Sequence, residues 1–151
     1  IIKEKYPDLR VGIGSSECGH SNIVRSYRYA LTTYELIEKA FSKPVLCYSE
    51  LDVYQLITDV TSPQTCIDFY QKVLGTLINY DKENGTNYTE ILEAFFENEC
   101  HLANTADAMF FHKNTLKYKL VKIRELLGYD ITANENRMNI MLAFKIRKLY
   151  D

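Results

Sequence analysis

The sequence predicts an α+β chain that is mostly helical, with a small strand-containing N-terminal region followed by an all-α domain built on a helix-turn-helix. Three observations predict it. Two short β-prone runs, Leu9–Ile13 and Val45–Tyr48, both fall before residue 60. Apolar residues recur at helical spacing through most of the remainder. Toward the C-terminus a short apolar segment and a basic one are separated only by Phe111 and His112. Residues 1–60 are therefore expected to form an α+β region, and residues 61–151 a helical domain with its helix-turn-helix at 102–127.

A length of 151 residues allows one domain or two small ones. Apolar residues make up 46% and charged residues 25%, enough for a core, so disorder is excluded as the main state. No apolar run approaches the roughly 20 residues a membrane helix needs. No signal peptide is read at the start, where Lys3, Glu4 and Lys5 follow Ile1 and Ile2 at once. Because residue 1 is not Met, the chain is expected to be part of something longer. Cys18, Cys47, Cys66 and Cys100 are widely spaced and are expected to be reduced thiols of a cytoplasmic protein.

The elements follow in order. The run LRVGI reads as a strand closed by Gly14. From about Asn22 to Phe41, the residues Ile23, Tyr27, Ala30, Leu31, Tyr34, Ile37 and Phe41 share a helical face, which Ser42 to Pro44 ends. The second strand, VLCY, leaves parallel and antiparallel pairing equally open. A short helix spans about Leu51 to Thr58. Ser62 and Pro63 mark the start of the next helix, with Ile67, Tyr70, Val73, Leu74, Leu77 and Ile78 on one face. Asp81 to Asn87 reads as a polar loop, and Asn87 to Glu90 as a capping box before Ile91, Leu92, Phe95 and Phe96. Three segments remain: Leu102 to Phe110, Lys113 to Leu127 stopped by Gly128, and a last helix from about Glu135 to Tyr150.

Charge is unevenly distributed. Residues 1–100 hold 9 Lys and Arg against 15 Asp and Glu, whereas residues 101–151 hold 9 against 5, a change from −6 to +4. Between 112 and 124, Lys113, Lys117, Lys119, Lys122 and Arg124 stand with no acidic residue among them. Such a block in a mildly acidic chain points to an anionic partner. A solvated helix face is the alternative reading.

The two segments around Phe111 and His112 carry the functional expectation. In the first, Leu102, Ala106, Met109 and Phe110 fall on one face; in the second, Leu116, Leu120, Ile123 and Leu127 do. A join this short requires the helices to cross steeply, with a small residue, Ala106 or Ala108, at the contact. Ala106, Met109, Leu116, Leu120 and Ile123 are thus the expected packing residues. Opposite the leucine stripe, at 100° per residue, lie Asn114, Tyr118 and Val121, with Lys117 and Lys122 beside them. Asn bonds adenine bidentately and Lys donates to guanine or phosphate, so Asn114, Lys117 and Tyr118 are the expected base-edge residues. Thr115 and the first-turn amides suit phosphate, and Lys113, Lys119 and Lys122 add salt-sensitive attraction.

The stretch TADAMFFHKNTLKYKLVKIRELLGYDI, Thr105 to Ile131, resembles the C-terminal helix-turn-helix of PucR/CdaR-type bacterial transcriptional regulators. The likeness lies in Ala106, Met109, the run His112 to Leu120, Gly128 and Asp130, with Arg137, Leu142 and Ala143 in the last helix. Lys113 and Lys119 stand where that family usually has Arg, which keeps the charge without the bidentate fork, so phosphate contact is expected there. Phe111 is bulkier than the usual branched aliphatic. The pieces VGIGSS, SYRYA and VLCYSELDVYQLI resemble the tail of the degenerate GGDEF-like domain of CdaR-type members. The resemblance implies control of a catabolic operon by a sequence-specific regulator of double-stranded DNA, with its small-molecule effector bound outside this chain. One module has a small footprint, so a homodimer on two half-sites is expected. The helices at Pro63–Tyr80 and Glu135–Tyr150 are candidates for packing and dimer contacts. A helical protein-interaction module, docking an acidic protein on the basic face, is the alternative.

Other chemistry is weakly signalled. Gly12, Gly14 and Gly19 lack the dinucleotide spacing and read as turn residues. Neither Cys18 with His20 nor Cys100 with His101 has a structural-zinc spacing, and no cofactor or metal is expected. His112 is placed to cap the basic helix or meet a phosphate. The 12 tyrosines read as core and interface material. No carboxylate pair or activated nucleophile points to an enzyme.

Overall fold

The computed structural model describes residues 9–16, 19, 22–41, 43–60 and 62–150. It divides into two units, residues 1–63 with 148–151 and residues 64–147.

In the first unit β1 (Val11–Ile13) and β2 (Val45–Cys47) pair in parallel, Val11 opposite Val45 and Ile13 opposite Cys47. The helix between them, α1 (Ile23–Lys39), packs on both strands. Of the two pairings the sequence leaves open, the structure takes the parallel one, which the long helical crossover makes possible. The first strand is shorter than the run that predicts it, Leu9 and Arg10 lying outside. Tyr48 leaves β2 to open a 3-10 turn (Tyr48–Glu50), and the short helix α2 covers Val53–Val60.

Gly12 and Gly14 have a different role from the turn expected of them. A Cβ at Gly12 would collide with the Ala30 carbonyl oxygen, and one at Gly14 with the Ser26 carbonyl oxygen. The two glycines let α1 lie directly on the first strand. Ser26 Oγ also donates to the Ser15 carbonyl at 2.8 Å.

The face of α1 is a second correction. Thr33, Leu36 and Ile37 are buried, but Ile23, Tyr27, Leu31 and Tyr34 are exposed together with Val24. Tyr29 stacks on Tyr48 with ring centroids 3.8 Å apart. Burial, then the hydrogen bond to Asp59, pushes the Tyr48 hydroxyl well above the usual tyrosine range.

The second unit contains most of α3 (Pro63–Asn84), together with α4 (Tyr88–Glu97), α5 (Leu102–Ala108), α6 (Lys113–Leu127) and most of α7 (Asn134–Tyr150). The helix α3 runs through Asp81 to Asn84, into the expected loop, and stops where Gly85 turns left-handed at φ 63°. Asn87 makes no side-chain cap to α4. The cap comes from the preceding helix: Asp81 accepts from the Tyr88 and Thr89 amides at 2.8 and 2.7 Å. Burial pushes the Asp81 carboxyl up, but hydrogen bonds from Thr86, Thr89 and Tyr88 outweigh it and hold it below its ordinary value.

Candidate nucleic-acid interface

The helices α4, α5 and α6 pack against one another. Ala106, Leu116 and Ile123 are fully buried, Leu120 is nearly so and Met109 is half-buried. Of the two alanines considered for the close contact, Ala106 is buried and Ala108 exposed. Thr105 is buried too, its hydroxyl donating to the His101 carbonyl at 2.8 Å. This satisfies the hydroxyl within its own helix.

The turn after α5 closes with two backbone bonds. Phe111 N–H donates to the Ala106 carbonyl at 2.8 Å and Phe110 N–H to the Asp107 carbonyl at 3.3 Å. This is a Schellman pattern, which needs a left-handed residue just past the helix, and Phe110 supplies it at φ 55°. A side chain in that conformation costs roughly 1–2 kcal/mol relative to the right-handed one. Phe110 is therefore a correction to the expected packing face. Its ring is 96% exposed. Periodicity assigns it to the helix, but α5 ends at Ala108. The turn from α4 to α5 is similar, with Glu99 and Cys100 left-handed at φ 55° and 62°. Burial pushes the Cys100 thiol up, away from the reactive thiolate form.

His112 is the N-cap of α6, its Nδ1 accepting from the Asn114 amide at 3.4 Å. At the other end Gly128 is left-handed at φ 76° and donates to the Arg124 carbonyl, as its position predicts. Between these caps one face of α6 is buried through Leu116, Leu120 and Ile123. Lys113, Asn114, Thr115, Lys117, Tyr118 and Val121 are exposed, Tyr118 at 78%. Lys113 and Lys117 have no carboxylate partner among the described residues. An exposed row of this kind offers amide, ammonium and phenol groups along one side of a helix, the groups that meet base edges and phosphates.

Two of the lysines are engaged within the protein. Lys119 is half-buried, its Nζ 5.3 Å from the ring centres of both Tyr88 and Phe111. That cation–π arrangement ties α6 to α4 and to the turn. The bulk of Phe111 thus serves as half of a platform for Lys119. Lys122 reaches Glu125 at 3.3 Å, and that carboxylate raises its ammonium above the usual lysine value. Beyond α6, the Thr132 amide and hydroxyl, with Arg124 adding a smaller contribution, hold Asp130 below the usual carboxylate range.

Cys18 and His20 lie outside the described residues. Cys47, Cys66 and Cys100 carry free thiols, and among the described residues no cluster of three His, Cys, Asp or Glu is arranged to hold a metal. No described helix is long and apolar enough to cross a membrane.

Residues 88–146 match the family model described as the PucR C-terminal helix-turn-helix domain. The chain is 27% identical over 152 residues to the DNA-binding transcriptional activator AdeR of Bacillus subtilis, covering 98% of this chain and 36% of the relative. It is 24% identical over 148 residues to the proline-responsive transcriptional activator PutR of the same organism, covering 96% and 36%. It is 29% identical over 139 residues to the carbohydrate diacid regulator of Escherichia coli, covering 91% and 35%. The chain thus spans about a third of the length of these curated relatives. No solved structure matches it significantly. The three packed helices α4 to α6, with the capped and cationic third helix, lie within the segment that matches the PucR C-terminal helix-turn-helix model.

Proposed function

We propose that the chain is the DNA-binding part of a sequence-specific transcriptional regulator. One observation carries the reading: α6 buries Leu116, Leu120 and Ile123 while Asn114, Lys117 and Tyr118 stand exposed together on its N-terminal half. A recognition helix reads bases mainly with its N-terminal residues, and it needs its opposite face fixed. Asn114, Lys117 and Tyr118 would meet base edges, with Val121 available for apolar contact. Lys113 and Thr115, with the amides of the first turn, would take phosphates. Lys119, held over two rings, and Lys122, paired with Glu125, would contribute by their charge.

The likeness to a proline-responsive transcriptional activator and a carbohydrate diacid regulator supports a role in catabolic control. Under this reading residues 61–151 are the DNA-binding domain, and residues 1–60 are the tail of a degenerate GGDEF-like domain. The effector binds elsewhere in the regulator, and the regulator works in the cytoplasm. One module of this size has a small footprint, so the active form is a homodimer on two half-sites, with α3 and α7 the candidate dimer helices.

The test is a fluorescence-anisotropy titration of the intact chain with duplex DNA at two salt concentrations. Binding at low salt that weakens linearly in log–log form as salt rises is the expected result. Absence of binding at low salt overturns the reading. Capture of an acidic protein by the same face, with no DNA binding, replaces it by the interaction-module reading.

A further inference from the structure

Position 110 has the backbone that favours glycine, left-handed at φ 55°, and turns of helix-turn-helix motifs often contain glycine for that reason. This chain places phenylalanine there and leaves the ring 96% exposed. The fold gains nothing visible from the ring. The two bonds that close the turn are main-chain bonds, which glycine makes equally well. The apolar contact that accompanies such turns is available from Phe111, which is half-buried beneath the Lys119 ammonium. An exposed phenyl ring on a backbone that disfavours any side chain calls for a use outside the molecule.

Its position indicates which use. Phe110 lies two residues before the cap of α6 and continues into the exposed residues His112, Lys113 and Asn114. The cations of that surface, Lys113 and Lys117, repel a second copy of the same surface and attract a polyanion. A phenyl ring neither donates nor accepts conventional hydrogen bonds. On a base edge in the major groove, the feature it can select is the C5-methyl group of thymine.

We propose that Phe110 is a specificity residue whose ring packs on a thymine methyl in the major groove, beside the bases met by the first turns of α6. The inference rests on the DNA-binding reading above and adds one position to what the domain reads. The probe is a duplex of about twenty base pairs, recovered by the wild-type chain from a randomised pool, with its thymines replaced singly by deoxyuridine. For the wild-type chain, one replacement is expected to weaken binding by roughly five- to tenfold, toward the low end of what a specific base contact provides. Phe110→Gly is expected to bind the all-thymine duplex about tenfold more weakly and to be indifferent to that replacement. It should also melt at an unchanged or higher temperature, since glycine relieves the backbone. Phe110→Leu should keep part of the thymine preference.

Phe110→Gly binding as tightly as wild type overturns the proposal, as does a variant that retains the deoxyuridine penalty. A melting temperature lowered by several degrees also overturns it, because Phe110 is then a structural residue. Failure of the wild-type chain to bind any duplex at low salt is a different result. It removes the DNA-binding reading itself, and it appears before any variant is made.

Discussion

The two units treat their apolar side chains differently. Within the three packed helices of the second unit, the large apolar residues left exposed are Phe110, Tyr118 and Val121, on the turn and the outer side of α6. In the first unit more than half of them line one helix: Ile23, Val24, Tyr27, Leu31 and Tyr34 on α1 are each between 45% and 64% exposed, while Leu9, Ile13, Val45 and Leu56 lie outside it. Most of the α1 set repeats at helical spacing and looks like core in the sequence, whereas Tyr118 and Val121 lie opposite the leucine stripe and read as an outer face. Periodicity identifies a face, but whether anything covers that face is decided by the rest of the fold. In α6 the stripe that periodicity identifies is covered by α4 and α5. In α1 Thr33, Leu36 and Ile37 are buried, while the longer apolar stripe is left exposed.

The comparison is sharpened most strongly in the core. Leu116→Ala removes a fully buried side chain between packed helices and should destabilise the second unit by about 2–5 kcal/mol. Tyr118→Ala, four-fifths exposed two residues on, should stay within about 0.5 kcal/mol. Thermal denaturation followed by helical ellipticity measures both. Equal melting of the two variants would mean that α6 has no buried side, and the contrast between the units would disappear.

The outer side of α6 gives the next largest effect. Asn114→Ala should weaken binding to a selected duplex by about 1–3 kcal/mol and relax preference at one base pair. Lys117→Ala should also weaken binding and reduce the salt slope by about 1. Anisotropy titrations of each variant against matched and mismatched duplexes separate the two behaviours. If both variants bind as wild type does, the exposed side of α6 has no more function than the exposed side of α1.

The main outline of the second unit was legible because α6 carries its signals locally. The basic residues, the leucine spacing, the His112 cap and Gly128 all lie within seventeen residues, His112 to Gly128. What was not legible depends on the partner of a residue or on backbone handedness. Phe110 completes an apolar period with Leu102 and Ala106, yet the helix ends first, and no glycine marks the left-handed turn. Gly12 and Gly14 look like turn residues until Ala30 and Ser26 of a separate element arrive against them. The Asn87 and Glu90 pair fits a capping box, but Asp81, six residues upstream of Asn87, makes the bonds to the α4 amides. No local pattern distinguishes an aspartate that caps the next helix from one that begins a polar loop.

That cap supplies a third, smaller prediction with a definite pH sign. Asp81→Ala leaves the Tyr88 and Thr89 amides without their acceptor and should cost about 0.5–2 kcal/mol at neutral pH. The folded-state carboxyl is held below its ordinary value of 3.8, so its contribution is complete above that value. As pH falls through the lower folded-state value, the proton binds and the contribution is lost. The melting curves of wild type and Asp81→Ala should therefore converge below about pH 3.8 and separate above it. A gap that widens on acidification would show that the carboxylate does not stabilise α4.

The smallest effect is expected on α1, and it is the one that tests the contrast most directly. Tyr27→Gln and Val24→Gln each replace an exposed apolar side chain with a good helix former, and each should change stability by no more than about 0.5 kcal/mol. Leu36→Ala on the covered side of the same helix should cost about 2–5 kcal/mol. One helix then serves as its own control, since backbone propensity changes little and only the covering differs. A loss in Tyr27→Gln comparable to that in Leu36→Ala would mean that the stripe is covered in solution. If that loss also shrinks as the protein is diluted, a second copy of the chain provides the cover, because stability that depends on association follows protein concentration. The apolar stripe on α1 would then be an interface, and the two units would differ in what covers their apolar faces while both have them covered.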